Sequence, residues 1–492
     1  MEQNTKSQWS FNERGVIAQT YSELESIPLL EAARNNYSLP KASPESCLRS
    51  VFQSVEVILL NLTDLVTRAT EDIQHENLNA AVVKLAWAGG FGSILSELCV
   101  LPYRLASGST TLADRSWLRI EDSPAFQAHT QAFLPLNQVF LRFIELHPAQ
   151  VNEAIADTSV EVPLSRIIQL LKIYAHEVSY WKTSLSEIGV QQEITSYEAF
   201  VGSSYIREAV LGQKLNGDTF FTQFRGLHQV PEIITAELND HIECAIRSIR
   251  DESLKQAYLY LRSANTLMSV LVGAIDPIAQ NLTPSDYHKF RENLGVTSGS
   301  HSVTLHFHLF RDLYRQLGTT FLEHIQRSGQ ACFDEENLIQ IIRLMDEHKL
   351  DDSRYFLTHL IINELLTLQT RLDQWRHDHL HLPRNAVGGG GTKSLAGAHD
   401  GIEAVKKLRD VARATDVLRP LAEARHLGRA FPGTEQPLIS NDGNDTPNPL
   451  DEVLVKLTGN ITKARFENVQ DRVGYFSEKC PFSPPPKRLV SP

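Results

Sequence analysis

Nowhere in its 492 residues does this chain carry 18 consecutive apolar residues free of charge, and its opening, M-E-Q-N-T-K-S-Q-W, has no apolar targeting core. A soluble, cytoplasmic protein with no membrane partner is therefore expected. Cysteine is scarce. The five residues, Cys47, Cys99, Cys244, Cys332 and Cys480, are far apart and form no C-x-x-C pair, so neither a disulfide framework nor a zinc site is indicated. Clustered Lys and Arg are also lacking: a formal charge of -12 and a pI near 5.8 leave no footprint for nucleic acid or an anionic membrane surface. Finally, no convincing run alternates apolar and polar residues with period two, which excludes a substantial sheet.

What is present is helical periodicity in a chain whose 42% apolar residues suffice for a sizeable core. The class expected is all-α, in tandem helical-bundle halves. Residues 1–44 are polar and broken by Pro28, Pro40 and Pro44, which reads as an arm with one short helix over Tyr21 to Arg34. Pro44 then opens a long amphipathic helix with apolar residues at i, i+3, i+4 and i+7. Further helices are expected over Leu78 to Arg104, Ala125 to Leu146 and Val162 to Ile188. A second series covers a helix containing His228, then Ser253 to Ile278, Leu305 to Gln326, Glu336 to His348, Arg354 to His379 and Gly401 to Arg429. From 433 to 492 the composition turns to Pro, Asn, Asp and Ser, as expected of a tail.

The two series read as copies. Leu48 to Glu56 lies over Phe224 to Glu232 without a gap at an offset of 176 (228 − 52 = 176), and Ile58/Ile234, Leu62/Leu238 and Asp64/Asp240 keep that offset. Pro124 to Ala128 is matched to Ser298 to Ser302 at 174, and Trp181 to Trp375 at 194. This divides the chain into an arm (1–44), a first helical domain (45–195), a second (196–432) and the tail (433–492). The copies differ where chemistry would sit: Phe52 stands for His228, Leu185 for His379, and Trp117 falls near the place of Arg291. The first domain is thus expected to be a degenerate copy without cofactor ligands.

Two helical histidines in apolar surroundings, His228 and His379, are suited to hold a haem, one ligating iron and the other facing its open side. Three segments of the second copy carry the rest: Phe224-x-x-x-His228-Gln229-x-x-Glu232; Tyr287-x-x-Phe290-Arg291-x-x-Leu294 with Ser298-Gly299; and Trp375-Arg376-x-x-His379 leading to Gly391-Thr392. In this order and spacing they resemble the tryptophan 2,3-dioxygenase superfamily of histidine-ligated haem proteins, over about residues 200 to 430. The resemblance implies haem b, with His379 as axial iron ligand, Trp375 beside it and His228 lining the distal pocket. It implies that Arg291 clamps a substrate carboxylate, that Thr392 touches the amino-acid end, and that Ser298 lies near a haem propionate or the distal pocket. Phe224, Tyr287 and Tyr205 would contact the aromatic substrate. The implied reaction inserts both atoms of O2 into an indole or related aromatic amino acid, breaking the indole C2–C3 bond. The family's oligomers, in which N-terminal segments help build a neighbour's pocket, imply a homodimer or its internal equivalent.

The chain also departs from the family. Ser298-Gly-Ser-His-Ser302 replaces S-G-F-Q-S, losing a phenylalanine and gaining His301; the glycine turn is G-G-G-G-T-K-S; and Tyr205-Ile-Arg-Glu-Ala is what remains of Y-x-x-Y-L. These changes fall on the substrate side, so an aromatic amino-acid hydroxylase stays open as an alternative, as does a haem sensor or scaffold without turnover. Alternatives stay open for single residues too: His377 or His381 for His379 as the ligand, an ion pair of Arg291 with Asp286 or Glu292, and Thr392 as a helix cap.

Overall fold

A computed structural model describes residues 22–23, 25–105, 122–150, 152, 163–186, 196–212, 219–275, 280–285, 287, 305–329 and 353–387. All lie in one compact unit, Met1–Ala430. The fold is all-α, with no strand among the described residues. The helices are α1 (Ile27–Asn35), α2 (Pro44–Gln74), α3 (Leu78–Leu105), α4 (Pro124–Leu146), α5 (Pro163–Ser186), α6 (Tyr197–Val201), α7 (Ser203–Leu211), α8 (Thr219–Arg250), α9 (Leu254–Gly273), α10 (Leu305–Gly329) and α11 (Ser353–Val387). The helices expected over Glu336 to His348 and Gly401 to Arg429 lie outside the described residues, as does the tail.

Local chemistry explains where the helices begin. Ser43 and Ser123 each sit in extended backbone before a proline, and their hydroxyls accept the N–H of Ser46 and Phe126. Each thereby caps a helix whose first turn already tolerates Pro, a combination contributing about 1 kcal/mol. Helix α2 buries Val51, Phe52, Val55, Ile58, Leu59, Leu62, Leu65 and Val66 completely, each contributing about 1.5–3 kcal/mol. By length and hydropathy α2 and the Leu78–Leu101 part of α3 are apolar enough to cross a membrane, but the apolar window of α2 is 83% buried. Its hydrophobicity is spent on the core.

The packing has internal symmetry. Helix α2 packs on α3 and α4, and α3 on α5; α8 packs on α9 and α10, and α9 on α11. Helices in corresponding places also face one another, α1 against α7, α2 against α8 and α3 against α9. The correspondence reaches single bonds at the 176 offset. Gln53 Nε2 donates to Val201 O at 2.9 Å, and Gln229 Nε2 to Glu25 O at 3.2 Å (229 − 53 = 201 − 25 = 176). Ser50 meets Glu237 through a 3.3 Å hydrogen bond, while Gly226 meets Asn61 (226 − 50 = 237 − 61 = 176). Such reciprocal pairs are the signature of an isologous, two-fold interface. The turns match as well. Glu76 and Glu252 are both left-handed, with φ of 58° and 56°. The next residue's N–H closes a Schellman turn in each case, Asn77 onto Asp72 O and Ser253 onto Ser248 O, both at 2.8 Å.

One register moves. Glu56 accepts from the Ala125 backbone N–H at the start of α4, and Glu232 Oε2 accepts from the His306 N–H at the start of α10. Phe126 therefore corresponds to Phe307, and Phe140 to Phe321, at an offset of 181 (307 − 126 = 181), not the 174 expected for this region. The segments leading into these helices differ by seven more residues (181 − 174 = 7) than the sequence match allowed.

Helices α2 and α8 approach closely because Gly226 has no side chain: a Cβ there would lie 2.4 Å from Asn61 Nδ2 and 2.9 Å from its Cγ. Gly226→Ala is expected to lower stability by about 1–3 kcal/mol, read as a reduced urea midpoint with unchanged slope. Glu252→Gly, relieving an exposed left-handed residue, should raise the midpoint by about 1 kcal/mol.

Candidate functional site

Helix α8 carries the F-x-x-x-H-Q-x-x-E segment, and most of its polar residues face the molecule's own framework. Arg225 donates to Ser26 Oγ at 3.1 Å and to Ala209 O at 2.9 Å. Gln229 donates to Glu25 O and Ala209 O. Glu232 accepts His306 Nδ1 at 2.5 Å. These residues brace α8 against α1, α7 and α10. His228 is different. Its Nδ1 lies 2.8 Å from the carbonyl of Phe224 one turn earlier; a carbonyl only accepts, so the proton sits on Nδ1 and Nε2 keeps its lone pair.

Phe224 and Tyr287 are buried, with ring centroids 6.4 Å apart, and the Phe224 ring lies 4.4 Å from that of His228. From α11, His379 stacks on Trp375 one turn before it, at 5.0 Å and 8°. Trp375 stacks in turn on Phe307 of α10 at 4.3 Å. Burial pushes the His379 imidazole down to about 4, and His228 lies close enough to lower it further. His228 is also held below its usual value, first by burial, against the opposing pull of the Phe224 carbonyl and Glu232. Both rings nevertheless keep intermediate exposure. The structure thus brings together His228, His379, Trp375, Phe224 and Tyr287.

It separates others from them. His377 points outward beside Asp378, its side chain 70% exposed, so of these two histidines only His379 faces inward. Tyr205 is exposed on α7 rather than joining the buried aromatic wall. Arg291, Ser298, His301 and Thr392 lie outside the described residues, as does the side chain of His381. Phe307 and His306 were missed in the sequence; only the corrected register, pairing Phe307 with the buried Phe126, marks them.

In the first half the equivalent place is filled. Phe52, at the position of His228, is fully buried against Tyr197 at 5.7 Å. Trp181, at the position of Trp375, is fully buried, donates Nε1–H to Ser96 Oγ at 2.9 Å and fills the gap beside Gly92. Trp375 instead remains half-buried, stacked between Phe307 and His379.

The donor set suits haem. A neutral imidazole on a rigid helix, ring orientation held by two aromatic faces, is a competent axial ligand, and a second neutral imidazole lies within electrostatic reach. No protein-family model matches the chain. It is 25% identical over 216 residues to the tryptophan 2,3-dioxygenase of Caulobacter vibrioides, covering 36% of this chain and 79% of that relative. It is 22% identical over 221 residues to the enzymes of that name from Bacillus thuringiensis subsp. konkukian and Bacillus anthracis, covering 37% of this chain and 77% of each relative.

Glu25, under the brace of α8, offers a pH test. Burial, opposed by Arg225 and aided by Glu232, raises its carboxyl from 4.5 to about 8. The folded chain therefore holds a proton that the unfolded chain has lost, and stability falls as pH rises from 4.5 towards 8, then levels off. Glu25→Gln should melt close to wild type at pH 5 and clearly above it at pH 8.5, as followed by circular dichroism.

Proposed function

This chain belongs to the tryptophan 2,3-dioxygenase superfamily, and on that premise we propose that it is a haem-dependent oxygenase using O2 on an indole or related aromatic amino acid. The observation carrying this reading is the pair of neutral, inward-facing imidazoles that α8 and α11 bring to one internal space. His379 would hold the iron of haem b, and Trp375, stacked between His379 and Phe307, would limit rotation of its ring. Haem supplies the activation of O2 that amino-acid side chains cannot provide. His228 presents an unprotonated Nε2, which can only accept a hydrogen bond, and an indole N–H can only donate one. It would therefore orient the ring, with Phe224 and Tyr287 as the wall that excludes water. Arg291 would hold the substrate carboxylate in a planar fork, with Thr392 and Ser298 completing the polar end. The favoured outcome is insertion of both oxygen atoms with cleavage of the indole C2–C3 bond. The altered Ser298 to Ser302 segment favours hydroxylation as the second reading.

The same reading covers the organisation of the chain. We propose that residues 45–195 are a degenerate copy of the catalytic half, residues 196–432, and take the place of a partner subunit in a cytoplasmic protein. The matching bonds of Gln53 to Val201 and of Gln229 to Glu25, and the aromatic filling around Trp181, support this. A fragment starting at residue 196 would expose the faces of α7, α8 and α9, and should lose solubility or substrate binding; a fully active fragment would refute the idea.

Full-length protein should take up one equivalent of hemin with a Soret band, and His379→Ala should abolish uptake. His228→Ala should keep the band while turnover drops about 10- to 100-fold, the worth of one hydrogen bond in a dry site. With tryptophan, N-formylkynurenine is expected; a catechol from tyrosine would instead establish the hydroxylase, and O2 binding without consumption would leave only a sensor.

A further inference from the structure

Away from the histidine pair, α2 and α8 bring a second set of metal-ligating atoms to one buried point. Cys47 projects from α2; Glu237 and His241 stand one turn apart on α8, the i, i+4 spacing that puts two side chains on the same face. Their exposures are 3%, 0% and 2%. Cys47 Sγ lies 2.8 Å from His241 Nε2 and 3.4 Å from Glu237 Oε1, and His241 Nε2 lies 3.5 Å from that oxygen. One sulfur, one nitrogen and one oxygen thus fall within 4.8 Å of one another.

Hydrogen bonding alone accounts poorly for this arrangement. Ser46 Oγ lies 2.7 Å from Glu237 Oε1 and 2.9 Å from the Ser43 carbonyl, so its one proton serves only one of them, and the thiol and the imidazole both turn to that same carboxylate oxygen. If the thiol or the imidazole instead donates across the 2.8 Å sulfur–nitrogen contact, it no longer satisfies the carboxylate. A cation between the three atoms satisfies them together. The carboxylate is further held by Ser50 Oγ at 3.3 Å and by Arg34 at 4.0 Å, the supporting shell that ligands of a metal require. Tyr260, whose ring edge meets His241 at 5.9 Å, also lines a neighbouring open cleft of about 470 Å³ with Lys41, Cys244 and Arg247.

We propose that Cys47, Glu237 and His241 bind a divalent d-block cation, zinc being the best fit, which staples the two halves of the chain together. The donors select the metal: thiolate and imidazole suit zinc, whereas magnesium and calcium seek oxygen donors. One thiolate, one carboxylate and a neutral imidazole balance a divalent charge, removing the penalty of uncompensated charge in the interior. On binding, the thiol proton leaves to solvent, one sulfur–metal bond forms, and nothing is oxidised. The fourth position falls to water. The site corrects the expectation that the cysteines imply no zinc, because its ligands are separated by 190 and 194 residues (237 − 47 = 190; 241 − 47 = 194) and make no sequence motif. The symmetric position, occupied by Gln223, Asn61 and Leu65, has no ligand set, so a single ion is expected.

Full-length protein reloaded with zinc after chelation, then desalted, should retain about one zinc per chain by elemental analysis, counted separately from haem iron. X-ray absorption at the zinc edge should show a sulfur shell at about 2.3 Å. Cys47→Ser and His241→Gln should each lose zinc about ten-fold or more with hemin uptake unchanged, whereas Cys99→Ser, another buried cysteine, should retain it. Folded wild-type protein that keeps no zinc, or binds it without a sulfur shell, overturns the proposal and leaves a hydrogen-bonded cluster only. Equal zinc in wild type and Cys47→Ser does the same.

Discussion

The crossing of α2 and α8 is the constraint on which the rest of the structure depends. At Gly226 the α8 backbone lies against the buried Asn61 side chain of α2 with no room for a Cβ, and further along the crossing the buried hydroxyls of Ser46 and Ser50 on α2 meet Glu237 on α8. Leaving one such group unpaired costs about 1–3 kcal/mol, while an apolar mispacking would cost less. The polar contacts therefore specify one register of α2 on α8 where a purely greasy interface would tolerate several. His228 lies two residues beyond Gly226, so this register sets the height at which its imidazole enters the space opposite His379.

Long amphipathic helices were legible because their apolar faces are continuous and, for α2, because Pro44 marks the start; α2, α4 and α10 begin within a residue of the expected positions. The 176 offset read over Leu48 to Asp64 recurs in the bonds of α2 and α8, where helices that face each other leave no room for insertions. The 174 match of Pro124 to Ala128 fell on Ser298 to Ser302, which lie outside the described residues, whereas the starts of α4 and α10 meet Glu56 and Glu232 at an offset of 181. The choice between His377 and His379 needed the helix face: two residues turn a side chain by about 200°, from the Trp375 stack to solvent. Nothing in the sequence linked Cys47 to His241, because that proximity exists only once α2 and α8 have packed together.

The symmetric frame also separates structural residues from chemical ones. Arg49 and Arg225, Gln53 and Gln229, and Glu56 and Glu232 occupy equivalent places and do equivalent work: each arginine and glutamine ties its helix to a backbone carbonyl of a neighbouring short helix or its lead-in. Each glutamate receives the start of the helix that follows. Identical environments reward identical residues. A motif such as His228-Gln229-x-x-Glu232 is thus mostly bracing, with a single residue turned towards chemistry.

Where the copies differ, the environment no longer explains the residue. Phe52 shows that this place in the frame accepts an aromatic hydrocarbon without any partner, and Trp181 shows that the adjoining space closes on itself when a glycine admits the ring. An imidazole at the equivalent position, desolvated and kept neutral, adds nothing to packing that phenylalanine does not supply more cheaply. The same reasoning applies to Glu237 against Asn61 and His241 against Leu65, where a carboxylate and an imidazole are buried although the symmetric copy manages with an amide and a hydrocarbon. Both departures fall on α8, in the part of the helix that follows Gly226. The helix that the docked halves hold most firmly is therefore also the one on which polar side chains can be kept in costly, preorganised positions, because the interface that orders them is already stabilised by everything around it.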